Sequence, residues 1–208
     1  MKRILCLVCV LFISLSALCS CNKPKESDEE LLSIFSALVE ESKQVNTLLF
    51  GEGILTDERG EKIGAYREAS ADSLSSFGVE SVADIEEKMQ RVYSLSVCAW
   101  IKNTLLSSSK DTETGTVLTY ARYYVGRVDK ADKTQEDVFF VYTDYNATVG
   151  EVSYSNFEIV TKNKNLVTFS LTIEVTHEGN TKKFDDTITM FKEDHGWRLD
   201  APTYATYE

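Results

Sequence analysis

The stretch "LVTFSLTIEVT", residues 166–176, is the tightest constraint on the fold. Apolar and polar residues alternate through it without a break: Val167, Phe169, Leu171, Ile173 and Val175 on one side, Thr168, Ser170, Thr172 and Glu174 on the other. Such a strand buries one face and wets the other, which is the habit of antiparallel sheets. The turn "HEGN" leads into a return strand with Phe184, Asp186, Ile188 and Met190 in phase, and "EDHG" turns the chain again into Trp197-Arg198-Leu199. Earlier strands are expected near 116–127, 137–145 and 150–162, so residues 115–200 read as an antiparallel meander. The two prolines, Pro24 and Pro202, interrupt none of them.

The first half has a different period. Ser27 and Glu30 form a capping box, and Leu31, Phe35, Leu38, Ser42, Val45 and Leu49 recur at helical spacing up to about Phe50. Ser81 and Asp84 open a second helix through Ile85, Met89 and Val92. Ser94 caps a third through Leu95, Cys98, Ile101 and Leu105. Between them, "GEGILTDERGEKIG" (51–64) reads as a Gly-rich acidic loop. No strand precedes Gly51 and Gly53, the third glycine of a phosphate-loop spacing is missing, and the acids Glu52, Asp57 and Glu58 would repel phosphate, so these two glycines are turn residues. Helices followed by strands predict an α+β domain over 27–208, N-terminal helices (27–108) packed on a curved antiparallel sheet. A helical lobe and a β lobe with a cleft between them satisfy the same pattern.

The amino terminus carries an address. Lys2 and Arg3 precede "ILCLVCVLFISLSALCS", which has the charged start, apolar core and small-residue end of an export signal. Leu18-Cys19-Ser20-Cys21 resembles the lipobox of bacterial lipoproteins. That resemblance implies removal of residues 1–20, lipidation of Cys21, residues 21–26 as anchor and tether, and a domain held at the extracytoplasmic face of a membrane. Two acyl chains on one residue would anchor it stably. A metal pair or dithiol at Cys19 and Cys21 is the rival reading, but no His or further Cys lies close enough to complete a tetrahedral site. Loss of residues 1–20 removes two basic residues and no acid, taking the net charge from −11 to −13. Such a surface repels nucleic acid. Cys98 then remains as a single thiol on the apolar phase of its helix, where it is expected buried and inert.

The order of elements and the closing "DTITMFKEDHGWRLDAPTY" resemble the cystatin-like cone of the nuclear transport factor 2 superfamily. The middle, "YREASADSL…ESVADIEEKMQRVYSLSVCAWI", is similar to secreted inhibitors of peptidoglycan DL-endopeptidases over about residues 65–106. Together these resemblances imply a non-catalytic binding or inhibitory module with a protein or peptidoglycan-related partner near the membrane.

Catalytic signatures are sparse. His177 and His195 sit in expected turns without ligand spacing, no GxSxG is present, and Ser107 to Lys110 spells SxxK without the companion motifs. "DKADKTQED" (129–137) lacks the glycine of a calcium loop, and Asn146-Ala147-Thr148 is a sequon only where glycosylation operates. No cofactor or metal is expected. Asp186 is the one candidate buried acid: in phase with Phe184 and Ile188, it would be desolvated, and a cone-fold enzyme could use it for proton transfer, unless a bulge turns it outward. A purely structural envelope protein is the remaining alternative. Six of the ten tyrosines lie between 120 and 154. Tyr120, Arg122 and Tyr124 share parity, and with Tyr142 they form the candidate binding face, ring faces plus a forked donor for peptide or sugar.

Overall fold

The computed structural model describes residues 23–110, 117–129, 134–145, 147, 151–177 and 179–203. The export segment, Cys19, the Cys21 anchor, the Asn146 to Thr148 sequon and residues 130–133 of the acidic stretch 129–137 lie outside them or straddle their limits. Helix α1 (Asp28–Leu49) is followed by β1 (Lys62–Ile63), β2 (Tyr66–Glu68), α2 (Ala71–Phe77), α3 (Val82–Val92) and α4 (Leu95–Leu105). Strands complete the chain: β3 (Ser109–Lys110), β4 (Val117–Thr119), β5 (Tyr123–Asp129), β6 (Gln135–Tyr142), β7 (Glu151–Lys162), β8 (Leu166–His177), β9 (Asn180–Glu193) and β10 (Gly196–Leu199).

Local signals set the helices. Both capping boxes close as expected, at Ser27 with Glu30 and at Ser81 with Asp84, and Ser94 caps α4 by accepting the Val97 N–H. Asp84 also takes the Glu80 N–H, and these bonds to its carboxylate hold it below the usual aspartate range. Helix α2, capped by Ser70 and closed by left-handed Gly78, is too short to announce itself by periodicity.

The fold is α+β, with helices packed on antiparallel sheets, as expected. The meander is divided, however. β10-β9-β8-β7 forms one sheet, whereas the β5–β6 hairpin joins β2 and β1 of the first half in the order β1-β2-β6-β5; β3 and β4 pair alone. The boundary near 108–115 is therefore crossed by β-pairing, with Tyr66 opposite Tyr142 and Arg67 opposite Val141.

Against β8, α1 buries its apolar stripe. Leu31, Phe35, Leu38, Val45 and Leu49 are all inside, and so is the full inward set of β8 from Val167 to Val175. Phe35 stacks on Phe169 at 4.0 Å between ring centroids and meets Phe157 edge-on at 5.2 Å. Rings of this size dominate core energetics. A buried polar knot ties the last described residues to this core. The Tyr93 hydroxyl donates to Asn46 Oδ1 at 2.6 Å, Asn46 Nδ2 donates to Thr203 Oγ1 at 2.8 Å, and Thr203 Oγ1 donates to Ser42 Oγ at 2.6 Å.

Glu26, at the end of the expected tether, does not stand clear of the domain: its carboxylate lies 2.5 Å from Lys192 Nζ, and that ammonium sits 5.3 Å from the Trp197 ring centroid. The Lys192 bond holds the Glu26 carboxyl below the ordinary glutamate range, against its own burial. Nor is Asp186 buried. It keeps the expected phase, opposite Leu171, but every residue from Asn180 to Thr187 is exposed because the cover over β8 does not extend across this end of β9. Its carboxylate accepts the neighbouring Thr187 N–H at 2.7 Å.

Candidate functional site

Of the four residues expected to form a binding face, three come together and one leaves. The expected strand 116–127 is broken, with β4 ending at Thr119 and β5 starting at Tyr123. Parity counted through that break put Arg122 beside Tyr120 and Tyr124. In the fold Arg122 points the other way and is 2% exposed.

Arg122 instead completes the carboxyl end of α1. Helix C-termini leave carbonyls without intrahelical partners. Arg122 Nη1 donates to Leu49 O and Nη2 to Gly51 O, the latter at 2.5 Å. The Tyr123 hydroxyl donates to Leu48 O, and the Tyr145 hydroxyl reaches Leu49 O at 3.2 Å. Arg122 Cζ lies over the Tyr145 ring, 3.9 Å from the ring centroid. Burial lowers the pKa of this guanidinium, while the surrounding tyrosines oppose the shift. The negative end of the helix dipole is a suitable counterpart for a cation without a carboxylate partner among the described residues. Gly53 makes the approach possible: its φ is +67°, and a Cβ there would stand 2.3 Å from both Arg122 Nη2 and the Tyr123 hydroxyl. Gly51 and Gly53 thus serve as turn residues, and Gly53 also admits a buried arginine.

Tyr120, Tyr124 and Tyr142 gather around a fourth ring, Tyr66, outside the 120–154 cluster. Tyr66 sits on β2 directly opposite Tyr142. Its ring centroid is 5.9, 5.7 and 5.7 Å from those of Tyr120, Tyr124 and Tyr142, and Tyr120 stacks on Tyr142 at 5.0 Å with planes 10° apart. The Tyr66 hydroxyl donates to Ala121 O at 2.8 Å, fixing the hub to the strand break. Burial raises its phenol pKa, and the three neighbouring tyrosines add to the shift. On β5 the Tyr124 ring lies along the strand over Gly126, where a Cβ would fall 2.6 Å from Tyr124 Cε1. Tyr120 and Tyr124 are 42% and 45% exposed, so their faces are open to a partner. The signal that could have found Tyr66 is the Tyr-Arg pair of "YREASADSL"; what hid it was a strand pairing across 76 residues of sequence.

This surface offers ring faces and phenol hydroxyls, the chemistry of adhesion to peptide or to the C–H faces of sugars. It places no nucleophile beside a base. Cys98 is buried on α4 and its thiol pKa is pushed up to about 11, chiefly by burial. His195 lies in the turn between β9 and β10, and His177 ends β8. Among the described residues no group of three or more His, Cys, Asp or Glu side chains could hold a metal ion, and no helix is long and apolar enough to cross a membrane. No protein-family model matches the chain, and no curated protein matches it.

Proposed function

We propose that the protein is a lipid-anchored, extracytoplasmic binding module of cystatin-like cone type, without catalytic activity of its own, which captures a protein or peptidoglycan-related partner through the Tyr66–Tyr120–Tyr124–Tyr142 surface. The observation that supports this reading is the openness of two rings in a cluster that lies outside the main core. Exposed aromatic patches on a domain of this size are features of interaction sites, and tyrosine is among the residues most enriched at binding hot spots. The resemblance to a lipobox supports a place at the outer face of a membrane, close to cell-wall enzymes. The similarity over residues 65–106 favours an endopeptidase as the partner.

The test uses the mature chain with Cys21→Ser to remove the anchor. Capture of envelope proteins or peptidoglycan by this protein, lost with Tyr120→Ala and Tyr124→Ala together, is the expected result. Equal capture by both proteins overturns the tyrosine surface. Undiminished peptidoglycan digestion by a DL-endopeptidase at saturating protein overturns inhibition, and membrane association of the Cys21→Ser chain overturns the anchor.

A further inference from the structure

The first sheet contains a gap. β2 ends at Glu68, and the last bond across its junction with β6 runs from the Ala69 N–H to Phe139 O at 2.8 Å. The chain then leaves the sheet to start α2. β6 does not stop there: Gln135–Val138 continue, paired on their other side with β5 through Gly126 to Asp129.

Successive backbone groups of a strand point to opposite edges. Since Phe139 O faces β2 and the Tyr142 N–H faces Arg122 O on the β5 side, the odd-numbered residues of β6 present their backbone to the β2 edge. The Asp137 N–H and C=O therefore look out where β2 is missing, and no strand among the described residues lies opposite them. They open into a cleft of about 700 Å³, floored by Ala69, Leu74, Val79 and Phe139 and walled by α2 and the start of α3. This is within the size range of clefts that hold ligands.

We infer that this slot receives an extended, basic segment of a partner protein, which adds to β6 as a strand in line with β2. Addition of a strand to an open sheet edge takes affinity from backbone bonds and specificity from alternate side chains. Charge decides the occupant. Glu68, Glu80, Asp84, Glu136 and Asp137 line the cleft, and among the described residues no Lys, Arg or His does. Two of these carboxylates already accept backbone N–H bonds, Glu68 from Glu61 and Asp84 from Glu80 and Ser81. Arg127 approaches Asp137 at 3.3 Å in an exposed pair, and Lys88 stands beside Gly78 and acts on Asp84; two cations at the rim against five lining carboxylates leave the field negative. Acidic side chains at an open edge repel a second copy of this acidic chain, as edge charges do in sheet proteins generally. The same charges favour a segment that carries Lys or Arg at the position opposite Asp137, where cross-strand side chains stand about 5 Å apart.

By contrast, the outer edge of the second sheet is obstructed. β7 carries register breaks at Ser155/Glu158 and Ile159/Thr161 and a left-handed Asn156, which interrupt a regular ladder. The slot beside β6 has none.

This inference does not rest on the tyrosine surface, and its test separates the two. An alternating Lys-Val nonapeptide and its Glu-Val counterpart are offered to the mature Cys21→Ser chain while amide exchange is followed. The Lys-Val peptide is expected to slow exchange at Asp137 and Phe139 about tenfold or more, with affinity falling as salt rises; the Glu-Val peptide should do neither. Asp137→Pro removes the N–H that faces the slot without touching the ladder to β5, and should weaken the Lys-Val peptide at least about tenfold. Glu80→Lys with Asp137→Lys should shift preference toward the Glu-Val peptide, which keeps the inference testable if the proline variant does not fold. Tyr120→Ala should leave peptide binding unchanged. Unaltered exchange at Asp137 and Phe139, equal binding of both peptides, or full binding by Asp137→Pro overturns the inference.

Discussion

The two four-stranded sheets use aromatic residues differently. β10-β9-β8-β7 turns Phe169 and Phe157 inward, where they meet Phe35 of α1, leaves Phe184 and Phe191 of β9 partly exposed and far apart along the strand, and gives solvent mainly threonine, serine and charge along β8. β1-β2-β6-β5 carries aromatics on both faces: Tyr123 and Phe139 toward the main core, and on the other face Tyr66, Tyr124 and Tyr142 with Phe140, which is fully buried with its ring 6.1 Å from that of Tyr124. A sheet needs one apolar face to be held in a domain. The outward rings of the first sheet exceed that need, which is why the functional reading rests there.

That contrast can be broken most forcefully in the second sheet. Phe169→Ala should cost about 3–5 kcal/mol in urea unfolding, as removal of a buried phenylalanine generally does. A loss below about 1 kcal/mol would mean that α1 is not held through this stack. Next comes Arg122→Ala, which strips the donors from Leu49 O and Gly51 O but also removes a buried charge; a net loss of about 2 kcal/mol is expected. Wild-type stability in that variant would return Arg122 to the list of surface candidates. Tyr120→Ala sharpens the contrast from the other side. It should lower stability by less than about 1 kcal/mol while removing partner capture, because surface substitutions away from caps and cores change little. Stability falling as far as in Phe169→Ala would make the outward rings part of the core.

The smallest effect belongs to Glu26. Its folded pKa lies below the ordinary value of 4.5, so its contribution is present above the unfolded pKa and is lost as pH falls through the folded one. Glu26→Gln should therefore lower stability at neutral pH by less than about 1 kcal/mol and converge with wild type in acid. A gap between the two proteins that persists unchanged at low pH would rule out the carboxylate as its source.

Much of this could be read from the sequence because it is local. Capping boxes at Ser27 and Ser81 act within four residues, and the alternation of β8 survives because one continuous strand carries it. The illegible parts depend on what lies over or beside a residue. Asp186 had its phase written in the sequence, but the limit of the cover over β9 is a property of packing. Arg122 was misplaced because alternation was counted across a break that leaves no mark in composition. Tyr66 was missed because sheet neighbours need not be sequence neighbours, and β2 is only three residues long.

The carboxyl end of α1 has a kinetic consequence. Its last turn is complete by Leu49, yet the groups that satisfy Leu48 O, Leu49 O and Gly51 O come from residues 71 to 96 positions later. At about 5–20 residues per second of synthesis, the helix end waits roughly 4–20 s for them. Until then its carbonyls must be met by water or by some other protein. The first helix is thus finished by the second half of the chain, and the order in which the two halves emerge governs how long that end stays unprotected.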